Sequence, residues 1–280
     1  MEKKKKYRKR LIKLGVLAIV LIWLVWGNVT VQVNTLTVTD ADLPDAFAGY
    51  KIAQISDLHN AEFGRENRTL IGMLERQAPD LIVITGDMVD SNHMDVDVAI
   101  RFAENIAGIA PCYYITGNHE AWLETEYDRL EKGLIDAGVT VLHDEAVVLE
   151  RGGESIRLIG MDDPTFRYYH AGPPFSMTLQ ELKDETAFTI LLSHRPERFE
   201  EYVQAEVDLV FSGHAHGGQF RIPFVGGLVA PDQGVFPKYD AGAYTEGTTT
   251  MVVSRGIGNS IIPVRLNNRP ELIVVELQKE

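Results

Sequence analysis

Five apolar runs in this chain end alike. Each stops on a small or hydroxylated residue followed by groups able to bind a cation or carry a proton. KIAQIS leads to Asp57 and His59, DLIVITG to Asp87, CYYITG to Asn118 and His119, FTILLS to His194, and VDLVFSG to His214 and His216. Short runs rich in Ile, Val, Leu and aromatic residues suit buried strands. A polar residue straight after such a strand stands at its carboxyl end, where ligands gather in α/β sheets. The pattern predicts one sheet edge that collects carboxylate, amide and imidazole groups.

Helical patterns fill the gaps. They span 67–77, ended by Ala78-Pro79, then 95–107, then 125–137, closed by Gly138. Residues 139–161 read as shorter strands, with Arg151-Gly152-Gly153-Glu154 as a hairpin turn. Pro196 opens a short helix that reaches Val203. Thr249–Val253 and Leu272–Leu277 supply two closing strands. Such βαβ units mixed with hairpins predict a two-layered β-sandwich core flanked by helices. Loops 162–177 and 217–247 are long for a compact domain, and long loops of this kind are often functional.

The N-terminus has a different character. Residues 1–13 hold eight of the 27 Lys and Arg residues and one acid, Glu2, whereas residues 14–31 carry no charge. A helix needs roughly 20 apolar residues to cross a bilayer, and Trp23 and Trp26 stand at its far end, where interfacial aromatic residues belong. The expected organisation is a basic cytoplasmic segment at 1–13, a transmembrane signal anchor at 14–31, a connector at 32–49 and one domain at 50–280. Basic residues ahead of a span stay cytoplasmic, which places the body on the outer face of the cell membrane. A cleaved signal peptide opens in the same way. The small-x-small site Ala46-Phe47-Ala48 comes late and follows acidic residues, so an uncleaved anchor is the expectation.

Beyond residue 13 the chain carries 19 basic against 39 acidic residues, a net of −20 within a total of −13. That body lacks the basic footprint of a nucleic-acid binder, and no nucleic-acid partner is indicated. The single cysteine, Cys112, excludes an internal disulfide or a thiolate cluster. Its place in CYYITG reads as a buried strand position.

Alternate residues of an extended segment face one way. On that basis Asp57 and His59 reach one ion together, and Ala215 is the spacer that keeps His214 and His216 on one side. Carboxylate, amide oxygen and imidazole together suit borderline divalent ions. The set predicts a binuclear metal site. The segments SDLH, TGD, TGNHE, SHRPE with His194, and SGHAH, in this order, resemble the calcineurin-like metallophosphoesterases over roughly residues 50–277. Together with the N-terminal apolar stretch, the run SGHAHGGQFRIP is similar to the bacterial membrane-associated or exported phosphodiesterases.

The resemblance implies a four-layer α/β/β/α sandwich. It implies that Asp57, His59 and His216 hold a first metal, that Asp87 bridges, and that Asn118, His194 and His214 complete a second. His119 is then outside the ligand set, near the phosphate or the leaving oxygen, as the catalytic residue. The implied activity is hydrolysis of phosphodiester bonds by a metal-activated hydroxide. It uses two divalent ions, manganese or zinc, with iron also suited to the ligands. The alternative is a lipid-linked nucleotide-sugar pyrophosphatase. The expected partners are a phosphodiester substrate, lipid or cell-wall polymer, and the membrane through the N-terminal helix. Glu120 either orients His119 or caps the following helix. Phe220, Phe224, Val225, Val229, Phe236 and Tyr239 either line a pocket wall or form a satellite core. Arg221 meets either phosphate or solvent.

Overall fold

Apolar strands alternating with one-sided helices build two sheets that meet face to face. The computed structural model describes residues 2–170, 172–259 and 262–280. In chain order, α1 (Glu2–Val29) leads into β1 (Gln32–Asp40) and β2 (Lys51–Ile55). Next come α2 (Arg68–Gln77), β3 (Leu81–Thr85), α3 (Val96–Ile106), β4 (Cys112–Ile115), α4 (Thr125–Asp136) and β5 (Thr140–Val141). β6 (Glu145–Arg151) and β7 (Glu154–Gly160) form the hairpin, followed by α5 (Pro164–Tyr169), α6 (Phe175–Leu182), β8 (Thr189–Leu192), α7 (Phe199–Gln204) and β9 (Leu209–Ser212). Two small hairpins pair β10 (Arg221–Ile222) with β11 (Gly226–Gly227) and β12 (Val229–Ala230) with β13 (Gly234–Val235). β14 (Gly242–Glu246), β15 (Thr249–Val253) and β16 (Glu271–Lys279) close the chain.

One six-stranded sheet has the order β1-β16-β2-β3-β4-β5 and the other β14-β15-β9-β8-β7-β6. Between them Ile52, Val83 and Ile115 pack against Leu158, Ile190 and Phe211. Leu74, Phe102 and Leu130 from α2, α3 and α4 cover the outer face of the first sheet over Ile55, Ile84 and Tyr114. Leu179, Phe199 and Tyr202 cover the second over Leu191, Val210 and Met251. The layers are therefore helix, sheet, sheet, helix. β3 is buried at every position because both faces of its sheet are covered.

The helices read at 67–77, 95–107 and 125–137 end within a residue of their observed bounds, the one opened by Pro196 starts as a 3₁₀ turn and becomes α7 at Phe199, α1 starts at Glu2 ahead of the 14–31 span, and Cys112 is buried in β4. The 32–49 segment differs from a connector. Residues 32–40 form β1, paired in parallel with β16 from Gln32–Glu271 to Asp40–Lys279. β1 is an edge strand with half-exposed positions, so its polar face gives QVNTLTVTD the look of a linker. The long loops also gain structure, with α5 in the first and β10 to β13 in the second.

The helix α1 is one continuous element with no buried residue. Its apolar stretch reaches a mean hydropathy of 2.1. Its last turn is pinned to the body. Asn28 Nδ2 donates to Arg265 O at 2.9 Å while Arg265 N donates to Asn28 Oδ1 at 2.7 Å. Trp26 stacks under the Arg269 guanidinium, and Arg269 donates to Val31 O.

Candidate metal centre

The strands β2, β3 and β4 are adjacent and parallel, as are β8 and β9, so their carboxyl ends lie at one end of the sandwich. There the seven expected ligands come together. Asp57, His59, Asp87 and His216 form one buried group, and Asp87, His194 and His214 a second that shares Asp87. Asn118 joins the second, its Oδ1 3.3 Å from His194 Nε2.

Strand alternation is not what brings them together. Asp57, His59, Asp87, His214 and His216 have φ of 50°, 44°, 54°, 64° and 47°. The extended geometry expected for SDLH and SGHAH is replaced by left-handed kinks. Ala215 between the paired histidines is helical, and those histidines fall into different donor groups. Left-handed non-glycine backbone costs about 1–3 kcal/mol per residue and persists where surrounding bonds over-determine it. Here Asp57 N donates to Gly86 O, His59 N to Asp87 O, and His214 N to the Asp57 carboxylate. Glycine is needed for these close approaches. A Cβ on Gly213 would overlap Ser56 Oγ, and Gly86, at φ 87°, packs against the backbone of Gly117.

The donor chemistry fits divalent cations. Burial pushes His59 down to about 4 and His216 down to about 3, which leaves both rings neutral. Their Nε2 atoms stand 3.3 Å apart, with Asp87 Oδ2 3.5 Å from the first and Asp57 Oδ1 3.5 Å from the second. Converging carboxylates and imidazoles in a dry site call for positive charge. Burial opposes the charge on His194, yet the Asp87 carboxylate raises its pKa to about 10, so a proton takes up that demand. Two of the rings are also oriented for ligation. His194 Nδ1–H donates to Thr85 O at 2.7 Å, which turns Nε2 to the site, where an ion would take the place of its proton. His214 Nε2 meets Asp232 Oδ2 at 2.9 Å, which leaves Nδ1 for a metal.

His119 lies beside these groups, its ring 4.5 Å from that of His59. Ser91 N–H donates to His119 Nδ1 at 3.1 Å. An amide only donates, so the neutral ring carries its proton on Nε2. Glu120 neither orients the His119 ring nor caps α4. Its buried carboxylate accepts from the N–H groups of Asp87, Met88 and Gly117 at 2.7–2.8 Å. Burial, then the Asp87 charge, pushes it up to about 8.

A cavity of about 660 Å³ opens over Asp87, Asn118, His119, His214 and His216. Trp122, Tyr168 and Tyr169 give it an aromatic wall, and Arg195 and Asp232 also line it. A second cavity, of about 780 Å³ and lined by Asp90, Ser91 and Met94, shares His119 and Trp122 with the first. Arg195, unmarked in the sequence reading, donates through Nε to Asp163 at 2.6 Å and pairs with Asp232. Arg265 is fully buried and bonds to the carbonyls of Arg255 and Gly258, with Nη2 3.5 Å from His216 Nδ1. Adjacency to His194 is the only signal for Arg195; nothing in the spacing points to Asp232 or Arg265. Arg221 is not among the residues that line the cavity over the site. It is half-buried on Asp240, 3.0 Å away.

Two stacked sheets with a shared-carboxylate two-metal site at their strand ends define a binuclear metallohydrolase. Residues 50–218 match the calcineurin-like phosphoesterase family, and the chain belongs to it. It is 30% identical over 255 residues to the uncharacterized metallophosphoesterase YkuE of Bacillus subtilis, covering 89% of this chain and 86% of that one. It is 31% identical over 242 residues to the phosphodiesterase YaeI of Escherichia coli, covering 83% and 84%. Among solved structures, the phosphopantetheinyl hydrolase PptH of Mycobacterium tuberculosis shares the fold at a TM-score of 0.50 and 14% identity, over 76% of this chain and 90% of that one.

Proposed function

We propose that this protein is a membrane-anchored phosphodiesterase whose two divalent ions are held by Asp57, His59 and His216 on one side and Asn118, His194 and His214 on the other, with Asp87 between them. The observation that carries the reading is the sharing of Asp87 by two donor groups beneath an open cavity. Bound there, two divalent ions supply positive charge to phosphoryl oxygens and lower the pKa of water. The chain's own residues supply the rest. His119 presents an Nε2 proton to a departing alkoxide, fixed in direction by the Ser91 amide. Asp232 and Thr85 keep the His214 and His194 rings turned to the site. Cavities on both sides of His119 and Trp122 give room for two organic arms, which favours a diester over a monoester. The mixed oxygen and imidazole donors suit manganese or zinc, and iron also fits them.

The N-terminal helix is best read as an uncleaved anchor. Its last turn is bonded to Arg265 and Arg269, and cleavage after Ala48 would remove β1 from its sheet. Basic residues ahead of the span then put the body on the extracytoplasmic side. The test of function is a panel of bis(p-nitrophenyl) phosphate, p-nitrophenyl phosphate and an aryl pyrophosphate, run with Mn²⁺ and after chelation. Metal-dependent turnover led by the diester is expected. Monoester-led turnover, or turnover untouched by chelation, overturns the reading.

A further inference from the structure

The loop after the paired histidines carries apolar side chains that fill neither a core nor the catalytic cavity. Phe224 is 109% exposed, and Val225, Val235 and Phe236 are exposed as well. Of the aromatic residues expected to line a wall or a satellite core, only Tyr239 is buried. Ile262, Val264 and Leu266 are also exposed.

These two sets are stitched together. Phe220 bridges to Leu266, Arg221 N donates to Leu266 O, and Gln219 Nε2 donates to the carbonyls of Ile262 and Val264. The same segment receives the end of α1, through the reciprocal bonds between Asn28 and Arg265. The apolar patch therefore continues from the point where the anchor helix meets the body.

Exposed aromatic and aliphatic tips beside the end of a long apolar helix are what an interfacial surface needs. The apolar groups enter the boundary of the acyl chains. We infer that the β10–β11 hairpin and the segment 262–266 rest on the bilayer that holds α1, with Phe224 as the inserted tip. A second copy of the chain would need a matching apolar partner, whereas the bilayer is already fixed at this place by Asn28. The inference rests on the anchor reading above. It brings lipid to the loop that also carries Asp232, the residue bonded to His214 and lining the catalytic cavity.

The test uses the full chain in vesicles of phosphatidylcholine and phosphatidylglycerol, with nitroxide labels on single introduced cysteines. Cys112 is buried and its thiol is pushed up to about 12, so it stays unlabelled. Phe224→Cys and Phe236→Cys report the surface, Leu17→Cys reports the anchor, and Val148→Cys, exposed on β6 in the other sheet, is the aqueous reference. The expected result is a label at 224 that oxygen reaches and a water-soluble nickel chelate does not, as at 17 and opposite to 148. A label at 17 in lipid with 224 and 236 as aqueous as 148 overturns this inference and leaves the anchor standing. Labels at 224 shielded from both relaxants mean a protein partner and also overturn it. An aqueous label at 17 removes the anchor and this surface together.

Discussion

Glu120 Oε2 accepts the backbone N–H of Asp87 at 2.8 Å. The same carboxyl group takes the N–H groups of Met88 and Gly117, so one buried side chain fixes both the TGD and the TGNHE turns. Glu120→Gln keeps the shape and turns an amide NH₂ towards three donors. A buried donor left without its acceptor costs roughly 1–3 kcal/mol. A loss of about 3 kcal/mol in stability is expected, with fewer than two metals retained per chain. Thermal unfolding and metal analysis measure both; a variant that melts with the parent and keeps two ions would show that Glu120 organises nothing.

His119→Ala separates proton transfer from metal binding. With Nδ1 occupied by Ser91 N–H, the ring acts only through Nε2. The expected fall in kcat is roughly 10²–10⁴-fold. Metal content should be unchanged. The loss should be smaller for a substrate whose leaving group is already acidic, because such a group departs without a proton. Equal losses on acidic and basic leaving groups would argue against the acid role.

Asp87→Asn weakens the one carboxylate common to both donor groups. Occupancy should drop from two ions to one or none while the fold survives, since the amide still accepts the His119 N–H. Two tightly held ions in this variant would remove Asp87 from the shared position.

The site was largely readable because its residues sit next to the strands that position them. Asp57, Asp87, Asn118, His194 and the His214–His216 pair each follow an apolar run directly, and the runs locate themselves by hydrophobicity. What the residues do locally was not readable. The positive φ of Asp57, His59 and His216 is set by hydrogen bonds from other loops, which no local pattern encodes. Asp232 reaches His214 from the middle of a long loop, and Arg265 arrives 49 residues after His216. β1 was hidden for a related reason. An edge strand has polar positions that alternate with weakly buried ones, and its partner β16 lies at the other end of the chain.

Arg265 makes its contribution through the RGIGN turn. It donates to Arg255 O and Gly258 O, while Ile257 N and Gly258 N donate to Ser56 O and Asp57 O behind the Asp57, His59, Asp87 and His216 donor group. Arg265→Met leaves two buried carbonyls without donors, at a cost of about 1–3 kcal/mol for each. The expected result is a lower melting temperature and preferential loss of the ion on the Asp57, His59 and His216 side. Metal titration would show one strong and one weakened site; two equally strong sites would confine Arg265 to the helix junction.

His143 gives the fold a pH dependence away from the metals. Burial opposes its charge, but the hydrogen bond and charge of Asp162, 2.9 Å from Nδ1, together with Glu131, raise its pKa to about 9 from 6.5. A histidine whose folded pKa is raised stabilises the fold fully below its unfolded value, and that contribution is lost as pH rises through the folded one. The parent should therefore exceed His143→Gln in melting temperature by most below pH 6.5. The gap should close between there and about 9. Comparing the two proteins cancels the titrations they share. A gap that stays constant across this window would mean that the pair contributes packing and no charge.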